Sequence, residues 1–231
     1  MLHVVATPIG NLADLAPRAH DALVSADLIA CEDTRRTWAL LSAFHIARPE
    51  MVSYREGRED LAGARILKAL QAGREVALCT DGGYPGISDP GFRLIQLAIE
   101  NGIDFDVIPG ASAVNLALLY SGLPTSSFTF KGFPPRKEGA LRRFFEEESA
   151  MPHTLLIYES PFRVGHTLKA ALEVLGDRRA AVCVEMTKRF ERIRRDWLSA
   201  LAAEFADAKI KGEVAIAIAG NNPKFTRQPG K

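Results

Sequence analysis

Short, almost wholly apolar runs alternate along this chain with longer stretches in which apolar residues recur every three or four positions. Leu2 to Ala6, Leu28 to Cys31, Glu75 to Cys79 and Phe105 to Ile108 read as strands. Pro17 to Ser25, Thr34 to Phe44, Glu59 to Ala72 and Gly91 to Asn101 read as the helices between and after them, the last two ending where Gly73 and Gly102 supply C-caps. Strands of this kind, separated by helices, imply a mostly parallel sheet covered on both faces. A helix over Ser112 to Ser121 follows, and then Gly122-Leu123-Pro124 and Phe133-Pro134-Pro135 interrupt the pattern. Strands resume at Thr154 to Tyr158, Ala181 to Glu185 and Val214 to Ala219, with helices at Gly139 to Glu148, Arg163 to Leu175 and Trp197 to Ala206, a spacing that fits a mixed sheet. The expected organisation is an N-terminal α/β domain over 1–110, a connecting helix and linker over 111–124, a C-terminal α/β domain over 125–220 and a flexible tail over 221–231.

Composition narrows the setting. With 231 residues, 47% hydrophobic and 25% charged, the chain can bury one large core or two smaller ones. Its formal charge is +1, from 29 basic and 28 acidic residues, so any nucleic-acid partner has to be argued from local clusters. Cys31, Cys79 and Cys183 each lie in an apolar run far from the others, which predicts buried thiols in a reducing cytoplasm. The five histidines share no metal-ligand spacing with them, so no metal is expected. The opening MLHVVATPIG lacks a basic leader region, and no apolar run approaches the roughly 18 residues of a membrane span, so neither secretion nor insertion is expected.

Four loops follow predicted strands, and in a parallel sheet they share the carboxyl edge, where open α/β folds bind ligands. The first is Thr7-Pro8-Ile9-Gly10-Asn11-Leu12, good turn chemistry in its own right. In the second, Cys31-Glu32-Asp33-Thr34-Arg35-Arg36, Asp33 either caps the next helix or, with Glu32, orients or deprotonates a hydroxyl, while the arginines suit phosphate. The third, Cys79 to Gly91, holds four glycines and two prolines around Asp81, Tyr84 and Asp89, with Ser88 or Asp89 expected as N-cap and Pro90 in the first helical turn. In the fourth, Ile108-Pro109-Gly110-Ala111-Ser112, Ser112 either caps a helix or meets a ligand. Phosphate-cradling NTPase, Gly-x-Ser-x-Gly and Gly-x-Gly-x-x-Gly signatures are absent, which weakens kinase, hydrolase and nicotinamide readings. Basic residues bunch at Lys131, Arg136, Lys137, Arg142 and Arg143, and again at Lys188, Arg189, Arg192, Arg194 and Arg195. The first group surrounds Phe130 and Phe133, a mixture suited to single-stranded RNA as well as to a solvated face.

Taken together, ATPIGNL, ACEDTR, TDGGYPGISDPG, PGASAV, SGLP, FKGFPP, YESPFR and KGEVAIAIAG resemble, in order and spacing, the tetrapyrrole-methylase superfamily over nearly all of residues 2–220. Within it the chain is most similar to the ribosomal RNA small-subunit methyltransferase I family, which 2′-O-methylates a cytidine in the decoding region of 16S rRNA with S-adenosylmethionine. The resemblance implies a two-domain α/β fold, a cytoplasmic homodimer and a cofactor held in a cleft between the domains. It implies cofactor contacts from Pro8, Asp81, Gly83, Tyr84, Ile87, Ser88, Ser112 and Ala113, with Tyr158, Met186, Val214 and Ala215 closing over the adenine. Asp33 and Glu32 are the candidates for the catalytic carboxylate. Arg35, Arg36, Lys131, Arg136, Lys137 and Arg163 are the candidates for contact with 16S rRNA or the small ribosomal subunit.

Three departures from the family pattern stand out. Thr80-Asp81-Gly82-Gly83-Tyr84-Pro85 replaces the usual Ser-Asp-Ala-Gly-Thr-Pro, placing a bulky tyrosine where a threonine is common. Tyr54-Arg55-Glu56-Gly57-Arg58-Glu59 lacks the usual histidine-and-asparagine pattern. Many relatives also continue beyond the last strand, where this chain ends at Lys231. Two other readings remain open: a tetrapyrrole or corrin precursor as substrate, against which the missing Gly-x-Gly-x-Gly first loop speaks, and a cofactor-binding or RNA-binding module without activity.

Overall fold

Central strands of a parallel sheet must be apolar on both faces, and β2 (Leu28–Cys31) and β4 (Val76–Cys79) are buried at all four positions. The computed structural model describes residues 1–57 and 59–227. Its contacts divide them into two units, Met1–Ser112 and Ala113–Lys231.

In the first unit, β1 (Leu2–Val5), β2, β3 (Glu50–Ser53), β4 and β5 (Phe105–Ile108) form an all-parallel sheet in the order β3-β2-β4-β1-β5. Register sets Val4 beside Leu78 and Ala30 beside Leu78, so alternate residues share a face. Leu2, Val4, Leu28, Ala30, Val76 and Leu78 pack under α3 (Glu59–Gln71) and α4 (Phe92–Glu100), through Ile66, Leu70, Leu94 and Ala98. Their neighbours Val5, Ile29, Cys31, Ala77 and Cys79 face α1 (Pro17–Ser25) and α2 (Thr34–Ala43). The α1 stripe of Ala19, Ala22 and Leu23 has the three-to-four spacing of one helix face.

The second unit begins with α5 (Ala113–Ser121), the expected connector, whose Val114, Ala117 and Leu118 are part of that unit's core. Its sheet runs β6-β7-β10-β8-β9, from β6 (Phe128–Phe130), β7 (Thr154–Glu159), β10 (Val214–Ile218), β8 (Arg179–Val184) and β9 (Arg192–Trp197). Only β6 and β7 are parallel; the other pairs are antiparallel, so the sheet is mixed as expected. Leu155, Ile157, Val182, Val214 and Ile216 face α6 (Glu138–Glu148), α7 (Val164–Leu175) and α8 (Leu198–Phe205), while Leu156, Ala181, Cys183, Ala215 and Ala217 face α5.

Two expectations need correction. The tail is not loose where it is described. A short 3-10 turn, Pro223–Phe225, follows Asn222, Thr226 bridges Arg178, and the Arg227 N–H donates to the Asp177 carbonyl at 2.8 Å. Buried Arg178 donates to the carbonyls of Leu175, Ala219 and Ser149, and the Arg227 guanidinium covers the Trp197 ring, so the segment is docked by polar contacts that its composition hides. Residues 228–231 of that tail, and Arg58 of the Tyr54 to Glu59 segment, lie outside the described residues. The third loop also starts its helix differently. Helix α4 begins at Phe92 with Gly91 as N-cap, at φ +147°, where a Cβ would meet the Gly86 nitrogen at 2.8 Å. Ser88 is left-handed at φ +62°, unlike an N-cap, and Pro90 precedes the helix. Among the described residues no helix is long and apolar enough to cross a membrane, and no cluster of three His, Cys, Asp or Glu side chains could hold a metal ion.

Candidate active site

Because β1, β2, β4 and β5 are parallel neighbours, their four following loops emerge at one edge of the first sheet. They converge on the segment from Thr80 to Tyr84. The Thr7 and Gly83 main chains exchange hydrogen bonds at 3.0 and 2.9 Å, and the Thr7 hydroxyl donates to the Thr80 carbonyl at 3.2 Å. Gly82 lies so close to the first loop that a Cβ there would sit 3.2 Å from the Pro8 carbonyl oxygen. Gly83 is at φ +81°, a conformation glycine adopts without penalty. The fourth loop is attached through Tyr84, whose phenol oxygen accepts from the Gly110 N–H at 3.1 Å.

The second loop brings the charges. Asp33 caps α2, as one sequence reading had it, accepting from the Arg35 N–H at 2.9 Å. The Arg35 guanidinium also grips it with two bonds, at 3.1 and 2.7 Å, and these donors hold its carboxyl well below the usual carboxylate range. Glu32 behaves oppositely. Burial, reinforced by the negative charge of Asp81, pushes its carboxyl above the ordinary value, while an Asp81 main-chain hydrogen bond and the charges of Arg36 and Arg55 pull partly back. Arg36 reaches Asp81 Oδ2 at 3.1 Å, and Arg55 donates to the Glu32 carbonyl at 3.0 Å. Arg55 was missed as a site neighbour because β3, the strand that delivers it, is short and polar.

Two polar atoms at this edge, Asp81 Oδ1 and Thr80 Oγ1, are buried without a hydrogen-bond partner among the described residues. A bound molecule offering hydroxyl or ammonium donors would satisfy the carboxylate oxygen. Pro8 is buried behind this segment, whereas Ile87 and Ser88 are exposed at the outer part of the loop. Ser112 immediately precedes α5, which starts at Ala113.

In the second unit, Met186, Ala215 and Tyr158 belong to the cluster that faces α5, but the Val214 side chain points into the opposite core. The expected RNA ligands divide sharply. Lys131 is held by Glu147 and Glu148 and lies over the Phe144 ring. Arg163 donates to the Pro134 and Pro135 carbonyls and sits 3.5 Å from buried Glu159. Arg136 and Lys137 are exposed, and no carboxylate pairs with either among the described residues. Of the other bunched cations, Arg142 pairs with Glu173, Arg192 and Arg194 with Glu204, and Lys188 with Glu185 and Glu213.

The model of the tetrapyrrole (corrin/porphyrin) methylases matches residues 1–202. The ribosomal RNA small subunit methyltransferase I of Halalkalibacterium halodurans is 45% identical over 96% of this chain and 77% of its own length. That of Mesorhizobium japonicum is 46% identical over 94% of this chain and 74% of its own. Among solved structures, the uroporphyrin-III C-methyltransferase of Thermus thermophilus complexed with S-adenosyl homocysteine shares the fold at a TM-score of 0.61, with 22% identity over 94% of this chain and 96% of its own. With the parallel-sheet edge, its convergent loops and this extent of likeness, the chain belongs to the tetrapyrrole (corrin/porphyrin) methylase family, in the branch of the ribosomal RNA small subunit methyltransferases I.

Proposed function

We propose that this chain transfers a methyl group from S-adenosylmethionine to the ribose 2′-hydroxyl of a cytidine in the decoding region of small-subunit ribosomal RNA. The observation that carries the reading is the convergence of four carboxyl-edge loops on Asp81 to Tyr84, in a chain whose relatives are named for small-subunit rRNA methylation. S-adenosylmethionine, when bound, supplies a methyl group already activated on its sulfonium. The protein's task is alignment and removal of one proton.

The first loop and Gly83 fix the backbone that would approach the cofactor, and the buried Asp81 oxygen would accept from one of its donors. The ribose hydroxyl is a weak nucleophile, and a carboxylate within reach of its proton supplies a typical 10²- to 10⁴-fold. Glu32 suits that role better than Asp33. Its partly buried carboxyl has a raised proton affinity, whereas Asp33 is saturated by Arg35 and binds protons weakly. Asp33 then orders α2 and Arg35, and Arg36 holds Asp81 in place. Three buried free thiols suit a reducing cytoplasm, and a homodimer is the assembly we propose.

The test is calorimetric titration of the protein with S-adenosylmethionine, followed by methyl transfer from the labelled cofactor to small ribosomal subunits and, in parallel, to a porphyrinogen. Label in the RNA supports the reading; label in the porphyrinogen alone replaces it with the small-molecule alternative.

A further inference from the structure

We propose that the turn at Ser160 to Arg163 and the segment from Lys131 to Lys137, both in the second unit, form a stacking site for unpaired bases of an RNA strand. Phe162 is its main platform, and Arg163 is a positioning residue, not an RNA ligand. The proposal rests on the reading that the substrate is RNA.

Phe162 is 92% exposed and Phe133 60% exposed. Large apolar rings held in water on a rigid base mark a contact surface better than scattered exposure does. The base here is rigid. The Arg163 N–H donates to the Ser160 carbonyl at 2.9 Å, closing the turn before α7. Buried Glu159 accepts from the Thr167 hydroxyl at 2.5 Å and the Ser160 N–H at 2.7 Å, fixing the start of the same turn. From that turn the Arg163 guanidinium reaches the carbonyls of Pro134 at 3.3 Å and Pro135 at 2.8 Å. Phe162 therefore directly precedes one end of this clamp, and Phe133 directly precedes the other. The Phe133 ring is further propped edge-on by Tyr158 at 5.7 Å, which Phe130 supports from 4.8 Å.

Charge identifies the partner. Lys188, Arg192 and Arg194 are compensated by carboxylates, but Arg136 and Lys137, the next residues after the clamped prolines, are exposed and pair with no carboxylate among the described residues. Exposed rings for base faces beside uncompensated cations for phosphates are the chemistry of single-stranded nucleic acid. A duplex hides its base faces.

The test measures binding of a labelled unpaired oligoribonucleotide, and of a hairpin of the same composition, to the full chain by fluorescence polarisation, with S-adenosylmethionine affinity as the folding control. Phe162→Ala should weaken the single strand at least about fivefold, as loss of one stacked base does. It should leave the hairpin and the cofactor affinity unchanged, and Phe162→Trp should restore binding. Arg136→Ala with Lys137→Ala should flatten the salt dependence by about one unit of slope per lost phosphate contact. Arg163→Ala should weaken the single strand without changing that slope, and should add little to Phe162→Ala in the double variant. Wild-type binding that Phe162→Ala leaves intact overturns the stacking site alone. A change of oligomeric state in Phe162→Ala with unaltered RNA affinity overturns it in favour of a subunit contact. Failure of the wild type to bind any RNA overturns it together with the reading on which it rests.

Discussion

The phenol oxygen of Tyr84 accepts from the Gly110 N–H at 3.1 Å, so the residue that departs from the family's threonine joins the third loop of the site to the fourth. Tyr84→Phe leaves this partly buried N–H without its acceptor, a cost of about 1 kcal/mol. The expected result is a melting temperature lowered by about 2 to 4 °C, together with severalfold weaker S-adenosylmethionine binding. Calorimetry reads both; unchanged affinity would mean that the loops hold their positions without this bond.

Gly83 carries the bridge to Thr7 at φ +81°. Any side chain there adopts a left-handed backbone at about 1–2 kcal/mol, more for a β-branched residue. Gly83→Val should therefore abolish cofactor binding in a titration while circular dichroism remains that of a folded protein. Retained binding would remove the segment from the cofactor site.

Glu32 gives opposite signs for stability and activity. Its folded proton affinity is raised, so its contribution to stability is complete below the ordinary value of 4.5 and is lost as pH rises through the higher folded value. Glu32→Gln should accordingly be more stable than the wild type at neutral pH and no more stable in acid, as followed by urea denaturation across pH. Activity should respond the other way, with a loss of about 100-fold or more and disappearance of the acid limb of the rate profile. Asp33→Asn keeps an N-cap acceptor but loses the ion pair with Arg35, and should cost less activity. A larger rate loss in Asp33→Asn than in Glu32→Gln would exchange the two roles.

Burial raises the proton affinity of all three thiols, pushing Cys183 up to about 12. The folded protein should leave Cys31, Cys79 and Cys183 unlabelled by iodoacetamide at pH 8, and all three should react in denaturant. Rapid labelling of any one in the native state would show that its strand opens.

Legibility followed burial. The central strands β2 and β4 are buried at every position, and their apolar runs stand out in the sequence. The three strands that escaped, Glu50–Ser53, Phe128–Phe130 and Arg192–Trp197, all lie at sheet edges. An edge strand needs only partial burial, so arginines at 192, 194 and 195 read as a basic run although they sit on a ladder beside β8. The four site loops were visible because strand-to-helix turns carry glycine, proline and aspartate for reasons of backbone geometry. Which carboxylate could take a proton was not visible. That distinction depends on Arg35 saturating Asp33 and on the partial burial of Glu32 beside Asp81, relations set by the fold and not by spacing.

The central claim is tested most directly by incubating the protein and labelled S-adenosylmethionine with small ribosomal subunits from cells lacking this gene, then mapping 2′-O-methyl groups along the RNA. A single new mark on a decoding-region cytidine, absent with Glu32→Gln, is the predicted result. Cofactor binding with no methyl group transferred to the RNA would contradict the account.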